Sequence, residues 1–457
     1  MADYLNILDP IEFDKSIDSF QYSEYPPQSQ SNINNPGGII QIDVNASDTY
    51  LLPSKSFIHI KGQLVRADNN NNNPFDANTE IALVNNAMMF LFENISYQIG
   101  ATVVESISSP GQITTLLGLA SYPDDYNTCA GLMSCWSKDT TTNATSRKFN
   151  RSPAVAANAV INAGDFTPSE NPNYNQGFAA RRALVMGADP RGHFSFLIPF
   201  DHIFGFGYYE KVIYNIKHSL KFTRKSTDHL AIHSADGVPN GKIILSSIAW
   251  RVPVVKPELS KLVELRELIE SKLTIPVGFQ ARTTDSTVVT QTREFTWRTN
   301  VTSGVEKPRW IFVAFQTNRN ETQQQNPAVF DNVNLATASA KLNNEDYPAE
   351  NIVVNFVTND YTVPFQMFDN YKKEFFGYNS LVGGTQVNFA TYKSLYPIIV
   401  FDVTRQNEKL SNGVIDMQLK FKFHDAIPAN TMAYVAIISD RVYHLKSDGK
   451  NLVMVSS

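Results

Sequence analysis

The chain has 457 residues with 39 Lys and Arg against 44 Asp and Glu, a formal charge of −5 that supplies no field to draw it onto nucleic acid or an anionic membrane. Hydrophobic residues at 42%, with 29 Phe, 19 Tyr and 4 Trp, exclude global disorder and provide for a large aromatic core. Two cysteines, Cys129 and Cys135, are too few for a secreted disulfide scaffold, so free thiols are expected.

Residues 1–36 lack sustained periodicity and end in a Pro-, Gln- and Asn-rich stretch, which predicts an extended N-terminal arm. Its charges are acidic: Asp3, Asp9, Glu12, Asp14, Asp18 and Glu24 oppose Lys15, unlike a basic tail that packages nucleic acid. Met1 to Asp9 has neither the cationic nor the apolar region of a signal peptide, which predicts synthesis without one. From Gly38 short β-like runs begin, at Ile39 to Val44 and Phe57 to Val65, then after a polar loop at Asn69 to Pro74 come Ala87 to Ile99 and Ala101 to Ile107, joined at Gly100. Ser109 with Gln112 three residues on resembles a capping box ahead of Ile113, Leu116, Leu117 and Leu119, predicting one short helix. Residues 127–175 are rich in Asn, Thr, Ser and Ala and predict a long excursion loop.

A strand is expected over Lys242 to Val255, followed by a linking helix over 257–273, where Leu259, Leu262, Val263, Leu265, Leu268, Ile269 and Leu273 recur near helical spacing behind Pro257 and Glu258. β-like segments return at Phe295, Trp310 to Phe315, Asn351 to Val357, Tyr396 to Val403, Val414 to Phe423 and Ala433 to Val442. A short internal repeat spans the two halves. Phe200-Asp201 precedes Leu220-Lys221-Phe222, and Phe401-Asp402 precedes Leu419-Lys420-Phe421 at nearly the same interval. Asn240-Gly241 and Asn412-Gly413 add a second echo, each a hairpin signal leading into an apolar strand. The expected fold is all-β: two consecutive jelly-roll β-sandwiches, 37–256 and 274–457, joined by the helix.

Chemical signatures are sparse. The chain has no phosphate-binding Gly-rich loop, no nucleophile elbow and no paired-His zinc helix, and Gly205-Phe206-Gly207 lacks the third glycine of a dinucleotide loop. His229 and His233 are four apart, a helical metal spacing, but no third ligand is evident and an ordinary polar loop explains them better. Asp201 and Asp402 read as caps on the turns after buried strands, while Arg181-Arg182 and Lys221, Arg224 and Lys225 read as solvated surface. No catalytic, cofactor or metal residue is assigned. The aromatic runs Phe194 to Tyr209 and Phe365 to Tyr378 suit core packing, a face against another subunit, or a sugar platform. Leu395 to Phe401, interrupted by Pro397 and among the longest apolar runs, is far too short to cross a bilayer.

The stretches Asp48-Thr49-Tyr50-Leu51-Leu52-Pro53-Ser54-Lys55-Ser56-Phe57-Ile58 and Asn388 to Val403 resemble the early strand pair and late block of double-jelly-roll major capsid proteins, most closely those of adintoviruses and Polinton-like elements. The resemblance implies a non-enzymatic shell protein: homotrimers forming pseudo-hexameric capsomers, capsomer–capsomer contacts, minor or penton proteins as partners, and a place in the virion. The acidic arm argues against direct nucleic-acid contact. The alternative from another class is a two-domain jelly-roll carbohydrate-binding protein or glycoside hydrolase; a viral fibre or penton component is a structural rival.

Overall fold

The computed structural model describes residues 16–30, 33–45, 47–67, 72–149, 170–299, 307–377, 384–406, 415–447 and 452–456. Residues 1–15 of the expected arm, 150–169 of the expected loop and the Asn412-Gly413 turn lie outside them.

In chain order the first half forms β1 (Ile17–Tyr25), β2 (Ile39–Val44), β3 (Tyr50–Leu51), β4 (Phe57–Arg66), β5 (Ile81–Leu83), β6 (Phe92–Ile99), β7 (Thr102–Ser108), β8 (His193–Pro199), β9 (Ile213–Tyr214), β10 (His218–Arg224), β11 (Ile232–Ser234) and β12 (Gly241–Pro257). The second half forms β13 (Thr274–Val288), β14 (Glu294–Thr299), β15 (Lys307–Thr317), β16 (Leu335–Leu342), β17 (Glu345–Val353), β18 (Ile399–Asp402), β19 (Met417–Phe423), β20 (Thr431–Ser447) and β21 (Leu452–Ser456). The helices are α1 (Ala87–Phe90), α2 (Pro110–Ser121), α3 (Gln176–Met186), α4 (Phe200–Ile203), α5 (Leu259–Glu270), α6 (Thr362–Phe376) and α7 (Phe389–Leu395).

The alternating side chains dictate half-buried strands: in β2, Ile40, Ile42 and Val44 are buried while Gln41 and Asp43 face outward. Each half stacks two antiparallel sheets. In the first, β8-β4-β12-β1 faces β2-β10-β6-β7; in the second, β18-β15-β20-β13 faces β14-β19-β16-β17. The strands β1, β2, β4, β6, β7, β8, β10 and β12 alternate between sheets in the same order as β13, β14, β15, β16, β17, β18, β19 and β20. That alternation is the jelly-roll path, traced twice. The two Leu-Lys-Phe triplets sit in β10 and β19, which hold equivalent places in their sheets. Cross-sheet ring contacts mark both cores, Tyr97 to Trp250 at 6.0 Å and Phe315 to Phe421 at 5.3 Å.

Register sets the two ends of the first sandwich. Ile17 lies opposite Pro257 at the end that carries α5, and Arg66 lies opposite Gly241 at the end from which the β7–β8 loop departs. The second sandwich stands alongside in the same sense, with Thr274 opposite Lys446 and Val288 opposite Met432.

Several local expectations are corrected. Residues 17–25 of the arm are a true strand, because β12 pairs with β4 and β3 along one edge and leaves its other edge, from Trp250 to Pro257, to β1. The first sandwich therefore begins before residue 37. Ala87–Phe90 is a helical turn rather than the start of a strand. Helix α2 begins at Pro110 without a capping box, since Ser109 is in the left-handed region (φ 47°) and makes no side-chain cap. It is buried on all sides from Pro110 to Ala120, which explains its lack of a polar face. In the linking segment Pro257 closes β12 and Glu258 is the N-cap, accepting from the Ser260 N–H at 2.9 Å, so the helix runs Leu259–Glu270.

The part of the 127–175 loop that is described is anchored. Arg181 and Asp139 form a fully buried ion pair at 2.6 Å, with Asn175 donating to the same carboxylate oxygen at 2.8 Å. Trp136 packs flat on Gly118 of α2 and its Nε1 donates to Gln386, whose amide donates to the Gly118 carbonyl at 2.9 Å. Replacing Gly118 by Ala would set a Cβ 2.4 Å from the Trp136 ring, in a place with no room to yield. Gly118→Ala is expected to cost about 1–3 kcal/mol in urea unfolding, whereas Gly384→Ala, which meets nothing within 4 Å, leaves the midpoint unchanged.

Candidate functional site

The surfaces available for function are defined by how the sandwiches join. The edge strand β7 of the first packs beside the edge strand β13 of the second. At the centre, the buried Glu105 carboxylate accepts the Arg282 N–H at 2.8 Å across the seam, and the Gly205 and Phe206 N–H groups at 3.1 and 2.7 Å from its own side. The Arg282 guanidinium in turn donates to the carbonyls of Asp201 and His202 at the α4 turn. Burial raises the Glu105 carboxyl above its usual range, opposed by those N–H donors and by Arg282 and Arg441. Along the same line Ser108 pairs with Thr284, Arg441 donates to the Val104 carbonyl, and Thr102 donates to the Met454 carbonyl. Farther toward the loop end, Gln323 of the second sandwich brackets Gly241 with both amide atoms, at 2.8 and 2.7 Å. A Cβ at position 205 would stand 1.8 Å from the Gln280 carbonyl oxygen, so the seam requires glycine there.

The residues singled out in the sequence mostly serve this packing. Phe206 meets Phe279, and Tyr208 meets Phe375 and Phe376, across the seam; Phe200, Phe204, Phe368 and Tyr371 are buried. Among the described residues, much of both aromatic runs closes one chain upon itself. Asp402 caps its turn as expected, accepting from the Thr404 N–H at 2.9 Å, whereas Asp201 stands in the first turn of α4 with its carboxyl raised by burial. His229 and His233 do not share a helix: His229 meets Gln323, and His233 is in β11, buried edge-on against Phe178. Among the described residues no three His, Cys, Asp or Glu side chains could hold a metal ion together. Cys129 and Cys135 are free, and burial pushes the Cys135 thiol up to about 12. Arg181-Arg182 is not solvated surface, since Arg181 is buried and Arg182 donates to the Thr79 and Ala77 carbonyls. Glu105, Arg282 and Gln323 went unnoticed in the sequence; the one signal was a lone carboxylate inside the apolar run Val103 to Ile107.

Two further edges are exposed. Strand β17 holds in its sandwich the place that β7 holds in the first, and it pairs only with β16. Val353 at its end is 60% exposed, with Val357 at 76% just beyond. Strand β1 holds the place of β13, and its Ile17, Phe20 and Tyr22 are exposed. The apolar residues Leu259, Val263 and Leu268 of α5 also face outward. Among the described residues no helix is long and apolar enough to cross a membrane.

A family model described as the double jelly roll-like domain matches residues 155–443, more than half of the chain. The chain belongs to the double jelly roll-like family. Solved structures with the same double jelly roll include a chain of the Sputnik virophage (13% identity, TM-score 0.56, covering 99% of this chain and 91% of that one) and a chain of the PBCV-1 virus capsid (9%, 0.55, 98% and 99%). The mavirus major capsid protein is similar at 12% identity and TM-score 0.51, covering 100% of this chain and 93% of its own. No curated protein sequence matches the chain.

Three imidazoles are buried among the described residues, those of His202, His218 and His233, and burial pushes the His233 ring down to about 4. His202 takes a hydrogen bond from the Tyr122 hydroxyl at 2.6 Å and donates to Asn86, and His218 meets the Tyr97 hydroxyl at 2.7 Å; burial pushes each down to about 3. The unfolded chain therefore takes up these protons first. The contribution of the His202 and His218 rings to stability is present in full above about pH 6.5 and is lost as the pH drops toward 3, while the raised carboxyls of Glu105 and Asp201 contribute in the opposite sense. Urea midpoints at about pH 7 and about pH 4 should differ clearly in the native chain, and less in His202→Gln.

Proposed function

We propose that this chain is the major capsid protein of an icosahedral DNA virus, acting as a homotrimer whose six sandwiches imitate a hexamer and residing in the virion. The observation that supports this reading is the β7–β13 seam together with an open pair of edges that hold the equivalent places. Within one chain, β7 of the first sandwich meets β13 of the second; the equivalent pair left open is β17 and β1. If β17 of one copy meets β1 of the next, the same geometry repeats and the ring closes after three chains, a heterologous cyclic contact. The exposed Val353 and Val357 on one edge and Ile17, Phe20 and Tyr22 on the other supply apolar surface for it. The likeness to viral capsid chains supports the same role, and the segments Asp48–Ile58 and Asn388–Val403 support assignment to the adintovirus and Polinton-like group.

Strand β1 begins beside Pro257, at the end that carries α5 and opposite the long loop, and the acidic segment precedes it in the chain. In our reading that segment links capsomers to each other or to minor and penton proteins at the base of the shell.

Light scattering on the purified protein should give three times 51.1 kDa, about 153 kDa. Phe20→Asp together with Val353→Asp places a charge in each contact, at a cost of roughly 3–5 kcal/mol per interface, and should yield folded monomers near 51.1 kDa. A native protein that stays monomeric at every concentration and salt tested would remove the reading. Removal of residues 2–15 should leave the trimer intact and abolish closed shells in negative-stain images.

A further inference from the structure

The basic cluster at the end of β10 has no part in the seam or the proposed ring. Beyond Arg224 the chain turns back over the start of β12, leaving a cleft of about 350 Å³ at the loop end of the first sandwich, lined by Asn34, Arg224, Lys225, Ser226, Thr227 and Lys242. Asp228 also lies in its wall, but both carboxylate oxygens are engaged. One accepts from Arg224 Nη2 at 2.7 Å and the other from the Ile243 N–H at 2.8 Å. Arg224 is only 3% exposed, and its Nη1 is buried without a hydrogen-bond partner.

Lys225 and Lys242 form no ion pair among the described residues, although both line the cleft. Burial pushes the Lys225 ammonium down to about 8, with Glu93 the carboxylate that opposes the shift. A cation held out of water without a full counter-charge lowers its free energy by taking an anion. Three cations against Asp228, which is engaged, and Glu93, which lies outside the cleft lining, leave an excess of positive charge, and the Ser226 and Thr227 hydroxyls add neutral donors. This set offers more donors, from more directions, than the two oxygens of one carboxylate can accept.

We propose that this cleft is a binding site for a tetrahedral oxyanion, phosphate or sulfate, held by Lys225 and Lys242 over a floor made positive by Arg224, with Ser226 and Thr227 donating to the remaining oxygens. The site lies within one sandwich of one chain and is independent of trimer formation. The ligand is the free anion, and a polymer that carries the same group is an outcome that competition detects.

Calorimetric titration of the full-length protein with inorganic phosphate at low ionic strength is expected to show one saturable site per chain. Lys225→Met combined with Lys242→Met should weaken it by roughly a hundredfold, two charge-assisted contacts being lost, with thermal unfolding and oligomeric mass unchanged. The double Lys→Arg variant should retain most of the affinity, and Lys242→Gln alone gives an intermediate loss should the double Met variant fold poorly. Absence of saturable binding, or binding equally tight in the Lys→Met and Lys242→Gln variants, overturns the proposal. Competition then assigns the source. A sulfated oligosaccharide or a DNA duplex that displaces phosphate from the native chain is the carrier, and displacement by neither identifies the free ion as ligand.

Discussion

The arrangement of the whole chain depends on one buried carboxylate. Glu105 sits at the edge of the first sandwich and gathers three backbone N–H groups, two from its own side and one from β13. Removing a carboxylate from water costs several kcal/mol, and that cost is offset only if nearly every acceptor position is used in good geometry. The donors here are peptide groups, which cannot rotate away, so the two sandwiches are locked in one relative register. Arg282 extends the lock by tying its guanidinium to the α4 turn. Together with the Ser108–Thr284, Gln323–Gly241 and Phe206–Phe279 contacts of the same seam, this lock makes the chain a two-lobed block suited to repetition.

Repetition is also the internal logic of the block. Both halves thread eight strands between two sheets in the same order, yet they invest their insertions differently. The first half sends out the long β7–β8 excursion, pinned by the buried Arg181–Asp139 pair, and the second inserts α6 and α7 between β17 and β18. These insertions meet across the seam, where α2 touches α6 and Trp136 reaches Gln386. The aromatic excess of the composition is absorbed there. A single sandwich core is about 10 Å thick and cannot hold so many rings, whereas two sandwiches with helices wedged between them can.

The basic residues illustrate how one sequence pattern leads to different physical roles. Arg181 is buried on Asp139 and backbone carbonyls, Arg182 ties down the segment near Thr79, and Arg224 pairs with Asp228. Lys225, next in sequence to Arg224, lacks such a partner and lines an open cleft instead. Charge and spacing along the chain are alike in these cases. What differs is the distance to a carboxylate or carbonyl, contributed by a remote segment for Arg181 and Arg182 and by the following turn for Arg224.

The sequence by itself determined the strand content, the all-β double sandwich, the helix between the halves and the poverty of catalytic motifs, because alternation, turn residues and helical spacing are properties of a few neighbouring residues. The Leu-Lys-Phe echo even marked the equivalent strands β10 and β19. Only the tertiary structure decided that residues 17–25 complete the first sandwich, that Phe206, Tyr208 and Phe375 face the seam rather than a ligand, and that Glu105 is the lock. Each of these depends on contacts between segments far apart in the sequence, and burial, pairing and desolvation are set by such contacts rather than by local pattern.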